Sequence, residues 1–524
     1  MPATTFNLVD LFEAAADEWP DRRYLVDERT SRTFSEMDRR ANQLAHHLQA
    51  QGIKPGDHVG IYAYNRVEWV EALWAIFKVR AVWININFRY VEEELAYLFD
   101  NADLNYLIVE PEFSERARTT APDLPQLVIG PQYEAALSAQ SDVRDFSARS
   151  DDDLYILFTG GTTGMPKGVV WRHGDVVMAL GGGIDITNGT KIASPEGFVE
   201  KGRNGFPLVS YPLPPLMHGA TQWSVMSQSF IGNSAVLRAK FDPADVWRTI
   251  DEEKVNIIMI TGDAMARPLL DYIAEHRSEY DLSSLFAVSS SAVLFSQSCK
   301  EQFLDLFPNL IITDAVGSSE GGANGITMVG RGNAMKGGPT VKAAPDSVVL
   351  GEDLRPVKPG ETGRIARTGN IPLRYHKDPE KTAATFVVGP DGTRYSIPGD
   401  FAQLEEDGSI TLIGRGSVCI NSGGEKIFPE EVENALKSHP EVFDAVVVGV
   451  PDERWGERVT AVVQARAGTT PSLESIQEHC RLHVAGYKVP RQLTLVELMV
   501  RSPAGKSDYR WAKSQAVADA GLGS

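Results

Sequence analysis

The sequence predicts an α/β protein in two parts. One is a large N-terminal domain of mostly parallel sheets with a β-rich subdomain, and the other is a small α+β C-terminal domain. Three observations carry this. Strand and helix periodicities alternate early in the chain and again beyond residue 230, the pattern of βαβ units and a largely parallel sheet. Over residues 340–414 strands and turns replace that alternation, with Gly351, Pro356, Pro359-Gly360, Gly392 and Gly408 as breaks. Beyond Gly414-Arg415-Gly416-Ser417 lies a compact tail of about a hundred residues, a common domain size. The boundary is therefore set between 416 and 417, giving domains 1–416 and 417–524.

The elements follow in order. Thr33 with Glu36 forms a capping box opening a helix whose Leu44 and Leu48 share a face. A turn at Lys54-Pro55-Gly56-Asp57 leads to a strand over 58–63. Helix 67–79, strand 81–86, helix 92–99 and strand 106–109 follow, and residues 111–152 read as irregular and polar. The apolar run 154–158 reads as a buried strand, and 181–206 as an inserted surface loop rich in Gly, Asn and Lys. Further strands are expected at 235–237, 257–260, 285–288 and 310–312. In the tail, helix 429–438, strands 445–450 and 458–465, helix 473–483 and strand 492–496 complete the pattern.

Composition excludes several functions. A chain of 524 residues exceeds one hydrophobic core, and its 43% apolar and 23% charged residues are those of a globular protein. A net charge of −19 argues against nucleic acid and against a polybasic membrane patch. Cys299, Cys419 and Cys480 are too few and too scattered for a disulfide framework or a zinc cluster, which points to the reducing cytoplasm. The N-terminus has no basic n-region, so no signal peptide is expected. No apolar run reaches the ~20 residues of a membrane span. The richest, 69–88, is broken by Glu71, Lys78 and Arg80 and reads as a helix followed by a strand. Peripheral membrane contact and a homodimer are both compatible with this composition.

The chemistry centres on Thr159-Gly160-Gly161-Thr162-Thr163-Gly164-Met165-Pro166-Lys167-Gly168. Its glycines let backbone approach a ligand, and its hydroxyls and N–H groups can ring an anion beside the Lys167 charge. The spacing is not that of a Walker loop. A flexible surface loop explains the glycines and threonines, but not Pro166-Lys167 after them. Four later segments join it: Asp314-Ala315-Val316-Gly317-Ser318-Ser319-Glu320, Ser396-Ile397-Pro398-Gly399-Asp400, Arg415 with the loop Gly423-Gly424-Glu425-Lys426, and Ser502-Pro503-Ala504-Gly505-Lys506. Singly, Glu320 reads as a surface carboxylate, Asp400 as a turn aspartate and Lys506 as a solvated lysine.

Together, in this order, they resemble the adenylate-forming superfamily of acyl-CoA synthetases, luciferases and adenylation domains. The resemblance covers nearly the whole chain. It implies αβαβα-layered sheets, a mobile C-terminal domain, and the substrates ATP and coenzyme A with Mg²⁺. It implies that the loop at 159–164 and Lys167 hold the β- and γ-phosphates, and that Glu320 is a hard oxygen ligand for Mg²⁺. It gives Asp400 the ribose hydroxyls, Arg415 ribose or phosphate oxygens, and Lys506 the bridge from carboxylate to α-phosphate. Asp314, Gly317, Ser318 and Ser319 belong to the nucleotide motif, and Ser290-Ser291-Ala292 to the adenine side. The family often places an aromatic residue where Val316 stands, and aspartate or lysine at the hinge, where Ser417 stands.

The acyl pocket is expected along 215–219, Trp223, Met226, 261–265 and 322–326. His218 is a gate or catalytic candidate whose bland reading is a hydrogen-bonded structural histidine. Gly219, Ala220, Gly262, Gly322 and Ala323 leave room for a bulky apolar acid. Trp171-Arg172-His173 and Gly317-Ser318-Ser319-Glu320 resemble bacterial fatty-acyl and steroid-side-chain CoA synthetases. The expected activity is ATP-dependent formation of an acyl-AMP with pyrophosphate release, then transfer to coenzyme A. The alternatives are a CoA ligase for an aryl or short branched acid, or an adenylate-forming enzyme that does not use CoA.

Overall fold

The computed structural model describes residues 5–159, 165–291, 295–331, 340–415, 418–422, 425–452, 455–501 and 506–522. Among them three sheets form. A seven-stranded sheet runs in the order Arg374–Tyr375, Lys167–Arg172, Leu154–Thr159, Val82–Asn85, His58–Tyr62, Leu104–Val109, Gln126–Val128. From Leu154–Thr159 onward its strands are parallel, and Val82–Asn85 is buried throughout. Strands covered on both faces need continuous apolar sequence, which is how they read.

A fifteen-stranded sheet carries the parallel strands Val209–Pro212, Ile257–Ile260, Ala287–Ser291 and Ile311–Ser318. Through Gly322–Val329 and Thr340–Ala343 it continues without a break into the antiparallel region 362–415. The β-rich subdomain is thus an extension of the main sheet, joined by shared backbone hydrogen bonds.

One apolar core lies between the two large sheets and contains Phe12, Phe34, Trp74 and Phe230 from helices Leu8–Glu18, Phe34–Ala50, Val67–Lys78 and Gly219–Phe230. Helices Glu92–Asn101 and Pro111–Thr120 cover the outer face of the smaller sheet. Helices Pro243–Glu253, Gly262–His276 and Gln297–Leu306 cover the far face of the larger. That is the αβαβα layering expected. The charges that interrupt run 69–88 are satisfied inside it. Lys78 Nζ meets Glu13 at 2.5 Å and Asp38 at 2.8 Å, while Glu71 takes Arg40 at 2.6 Å and the Tyr133 hydroxyl at 2.5 Å. No helix among the described residues is long and apolar enough to cross a membrane.

The C-terminal part is a five-stranded sheet in which Gly456–Ala465 pairs with Val442–Asp452 on one side and Gln492–Val496 on the other, packed by helices Pro429–Lys437, Leu473–Arg481 and Tyr509–Asp519. Two expectations fail locally. Residues 111–152 are not irregular throughout, since they hold helices Pro111–Thr120 and Pro131–Ser138 and strand Gln126–Val128. The segment 181–206 includes helix Glu196–Asn204, anchored by buried Phe198. In both places a narrow apolar contact suffices to hold a mostly polar helix.

Candidate active site

The expected phosphate loop is the tip of a hairpin. Strands Leu154–Thr159 and Lys167–Arg172 pair antiparallel, with Thr159 opposite Lys167. Gly160, Gly161, Thr162, Thr163 and Gly164 lie outside the described residues. Gly168 keeps the hairpin tight, because a Cβ there would lie 2.9 Å from the Phe158 ring. Lys167 is 2.5 Å from Asp378, on the neighbouring segment. That contact holds the Asp378 carboxyl below its usual range, helped by the backbone N–H of Lys381. Lys167 is therefore held by a carboxylate here.

The second expected motif is also a hairpin, Ile311–Ser318 with Gly322–Val329. Asp314 is taken up by Lys300 at 2.6 Å in a mostly buried pair. Burial raises the Asp314 carboxyl, against the pull of Lys300. At the bulge beside Gly317 a Cβ would sit 2.5 Å from the Gly322 carbonyl oxygen, so only glycine fits. Gly322 itself stands at φ +76°.

Glu320, at the tip, is where the segments meet. The Tyr375 hydroxyl donates to Glu320 Oε1 at 2.9 Å, and Ser396 Oγ donates to the Glu320 carbonyl at 2.5 Å. Trp171 Nε1 donates to the neighbouring Ser319 carbonyl at 3.1 Å. Burial, then the Glu320 charge, raises the Tyr375 phenol, which keeps it a donor. Ser318 Oγ is buried with no partner among the described residues. Ser290 and Ser291 lie beside Asp314 and Ala315 on the adjacent strand. Ser290 Oγ accepts from the Gly262 N–H at 3.1 Å, tying this strand to the 261–265 segment. Asp400 faces Arg415 across antiparallel strands, and Gly399 before it has φ +108°.

His218 caps helix Gly219–Phe230, and amides fix the segment before it. Asn65 donates to the Pro214 carbonyl at 3.2 Å and accepts from the Leu216 N–H at 2.6 Å. Asn85 bonds both the Phe158 carbonyl at 2.7 Å and the Met217 carbonyl at 2.9 Å, joining the strand before the phosphate hairpin to this segment. The small residues do not all leave space, however. A Cβ on Gly219 would lie 2.6 Å from Leu157 and 2.7 Å from Trp223, and one on Gly322 would lie 3.1 Å from Leu180. Gly219 serves packing, and Gly322 serves its backbone angle as well.

The structure thus draws the hairpin, the 314–320 motif, Ser290-Ser291 and the 396–400 segment together. Lys506 lies just before Ser507, within the segment closed by the bridge between Arg501 and Ser507, with Arg501 held by Asp444 at 2.5 Å. Ala292, Ser417, Gly423, Gly424, residues 502–505 and the Arg415 side chain lie outside what is described. Tyr375, Asp378, Lys300 and Asn85 were not foreseen. Only Asn85 has a local signal, an amide inside an apolar strand run.

Residues 12–373 match the AMP-binding enzyme family, and residues 431–506 match the AMP-binding enzyme C-terminal domain. The chain belongs to the AMP-binding enzyme family. It is 51% identical to a 3-oxocholest-4-en-26-oate–CoA ligase of Rhodococcus rhodochrous, over 97% of this chain and 96% of that protein. A medium/long-chain-fatty-acid–CoA/3-oxocholest-4-en-26-oate–CoA ligase of Mycolicibacterium smegmatis is 49% identical over 97% and 96%. The fold matches an anthranilate CoA ligase solved with anthranoyl-AMP, with a TM-score of 0.86, 22% identity and 99% of each chain covered.

Proposed function

We propose that this family member is an ATP-dependent, AMP-forming acyl-CoA synthetase for an apolar carboxylic acid, a medium- or long-chain fatty acid or a steroid side-chain acid. The single observation that carries the reading is full-length identity of about half to ligases named for those acids. Buried apolar Met226 and half-buried Trp223 along the expected acyl path agree with it.

In this reading the acid carboxylate attacks the α-phosphate of ATP, the bond to the β-phosphate breaks, and pyrophosphate leaves. Thr159, residues 160–164 and Lys167 hold the β- and γ-phosphates, and Asp378 keeps Lys167 positioned until they arrive. Glu320 suits Mg²⁺: the Tyr375 bond uses one of its lone pairs and leaves hard oxygen donors. A magnesium ion bound there supplies positive charge against the phosphate oxygens. Asp400 and Arg415 take the ribose side, Ser290 and Ser291 the adenine side, and Asp314 with Lys300 braces the wall between them. Lys506 bridges the carboxylate and the α-phosphate while charge builds up. Turning of residues 417–524 about Ser417 then withdraws Lys506 and admits the coenzyme A thiol, which displaces AMP from the acyl carbon. The three free cysteines favour the cytoplasm as the site of action.

The test is ATP- and CoA-dependent thioester formation against fatty, aryl and steroid acids, with AMP and pyrophosphate quantified. Thioester from fatty or steroid acids in preference to aryl acids is expected. Preference for an aryl acid, or adenylation without transfer to CoA, would overturn it.

A further inference from the structure

Away from these residues, three segments bring metal-ligating side chains to one point. His58 begins strand His58–Tyr62, Asp103 lies in the turn after helix Glu92–Asn101, and His376 follows strand Arg374–Tyr375. One ligating atom from each lies within 4.8 Å of the other two, and the imidazole centroids are 5.4 Å apart. We propose that His58, Asp103 and His376 form a binding site for a divalent transition metal such as zinc, whose occupancy restrains Lys167. The second half of this statement rests on the role given to Lys167 above, and the first does not.

Two imidazoles and a carboxylate, with a position left for water, are a ligand set that first-row divalent metals take and Mg²⁺ does not favour. The surroundings orient them. His58 Nδ1 stands 2.5 Å from the Ala102 carbonyl, so that nitrogen carries the hydrogen and the lone pair falls on Nε2. Such a bond from the second nitrogen is the usual way a metal-binding histidine is held. His376 Nε2 lies 3.6 Å from Asp103 Oδ2 and 3.0 Å from the Asn101 carbonyl, a hydrogen bond that a metal taken by this nitrogen would have to replace. Lys377 holds Asp103 by its other oxygen, Oδ1, at 2.6 Å. The negative end of helix Glu92–Asn101 points into the cluster and favours a cation there.

Metal–ligand bonds of about 2 Å need donor atoms about 3.3 Å apart, so each side chain shifts by about 1 Å. Asp103 is 58% exposed, which gives a metal its route in. A different explanation is that both histidines merely cap the helix carbonyls. That reading predicts no metal uptake.

The link to Lys167 is short. The backbone N–H of His376 donates to the Gly168 carbonyl at 2.7 Å, and two residues on, Asp378 holds Lys167 at 2.5 Å. A metal that fixes residue 376 keeps Asp378 on Lys167 and opposes its transfer to the nucleotide.

The experiment uses the full chain without a histidine tag, stripped with EDTA and titrated with Co²⁺ and Zn²⁺ in excess Mg²⁺. One equivalent of Co²⁺ with visible absorption bands is expected. His58→Gln and Asp103→Asn should each weaken binding at least tenfold, and the exposed Asp103 makes its variant a safe fold control. Zinc should raise the KM for ATP at least threefold in the parent and leave Asp103→Asn unchanged. No uptake in excess Mg²⁺, or parental affinity in both variants, would overturn the site. An unchanged KM for ATP in the zinc-loaded parent would overturn the link to Lys167. The binding measurement reads the site even where no acid is activated, so its failure is distinct from failure of the ligase reading.

Discussion

Glu320 is fixed at side chain and backbone alike, and the Tyr375 hydroxyl is the one bond from the described residues aimed at its carboxylate. A hydrogen bond to a charged group is worth about 1.5–3 kcal/mol. Tyr375→Phe should therefore lower kcat/KM for adenylation by about tenfold or more and raise the Mg²⁺ concentration needed. Glu320→Gln should do both more strongly. Pyrophosphate release across a magnesium titration measures this, and identical curves for parent and variants would remove Glu320 from the metal site. His173 gives a second prediction at this scale. Burial pushes its imidazole down from 6.5 to about 4, with the Leu8 N–H 3.4 Å from Nδ1. Between those values the unfolded chain binds the proton and the folded chain does not. Stability is thus full above 6.5 and is lost as pH falls towards 4, by about 3 kcal/mol from this residue. The difference between unfolding free energies at pH 7 and pH 4.5, from denaturant titration, should shrink by about that amount in His173→Asn.

At the scale of elements, Asn85 couples strand Val82–Asn85 to the phosphate hairpin and to the start of helix Gly219–Phe230. Asn85→Ala would leave two carbonyls and one N–H buried without that partner. We expect a loss of about 3 kcal/mol in denaturant unfolding, together with altered acid preference as residues 217–219 shift. Unchanged stability would mean that the three bonds are replaced. Elements with wide apolar faces were legible in sequence: strand Ile257–Ile260, with three of its four residues buried, falls where expected. Helices with narrow faces were not. Pro111–Thr120 buries Phe113 and Ala117, and Tyr509–Asp519 buries Ala512 and Ala516, too little to stand out from polar surroundings. Strand Gly322–Val329 was hidden because its glycines suggest a loop, while its ladder comes from partners at 312–318 and 342–343. The site divides the same way. Motif residues contiguous in the chain could be read directly, whereas Tyr375, Asp378 and Lys300 gain their meaning only from the strands that topology sets beside them.

Across the whole molecule, side chains from the two parts of the chain meet at several points among the described residues. Phe401 packs on Phe428 at 5.9 Å, and Arg466 reaches Asp271 at 4.0 Å across an exposed pair of the kind that contributes little. Such contacts are compatible with the turning of residues 417–524 proposed above. In the role proposed for it, Lys506 has work only while carboxylate and α-phosphate meet, because the thiol step starts from an acyl-adenylate already formed. Lys506→Ala should lose acyl-AMP formation by about 3–4 kcal/mol, the scale of one lost electrostatic group in a transition state. Supplied with synthetic acyl-AMP and coenzyme A, it should still make thioester at a near-normal rate. Ser417→Pro, by fixing φ at the proposed hinge, should have the opposite profile: pyrophosphate release spared and the thiol step impaired. Rapid-quench measurement of each half-reaction separates the two. Equal slowing of both half-reactions in both variants would rule out rotation about residue 417 and leave one fixed arrangement to perform both steps.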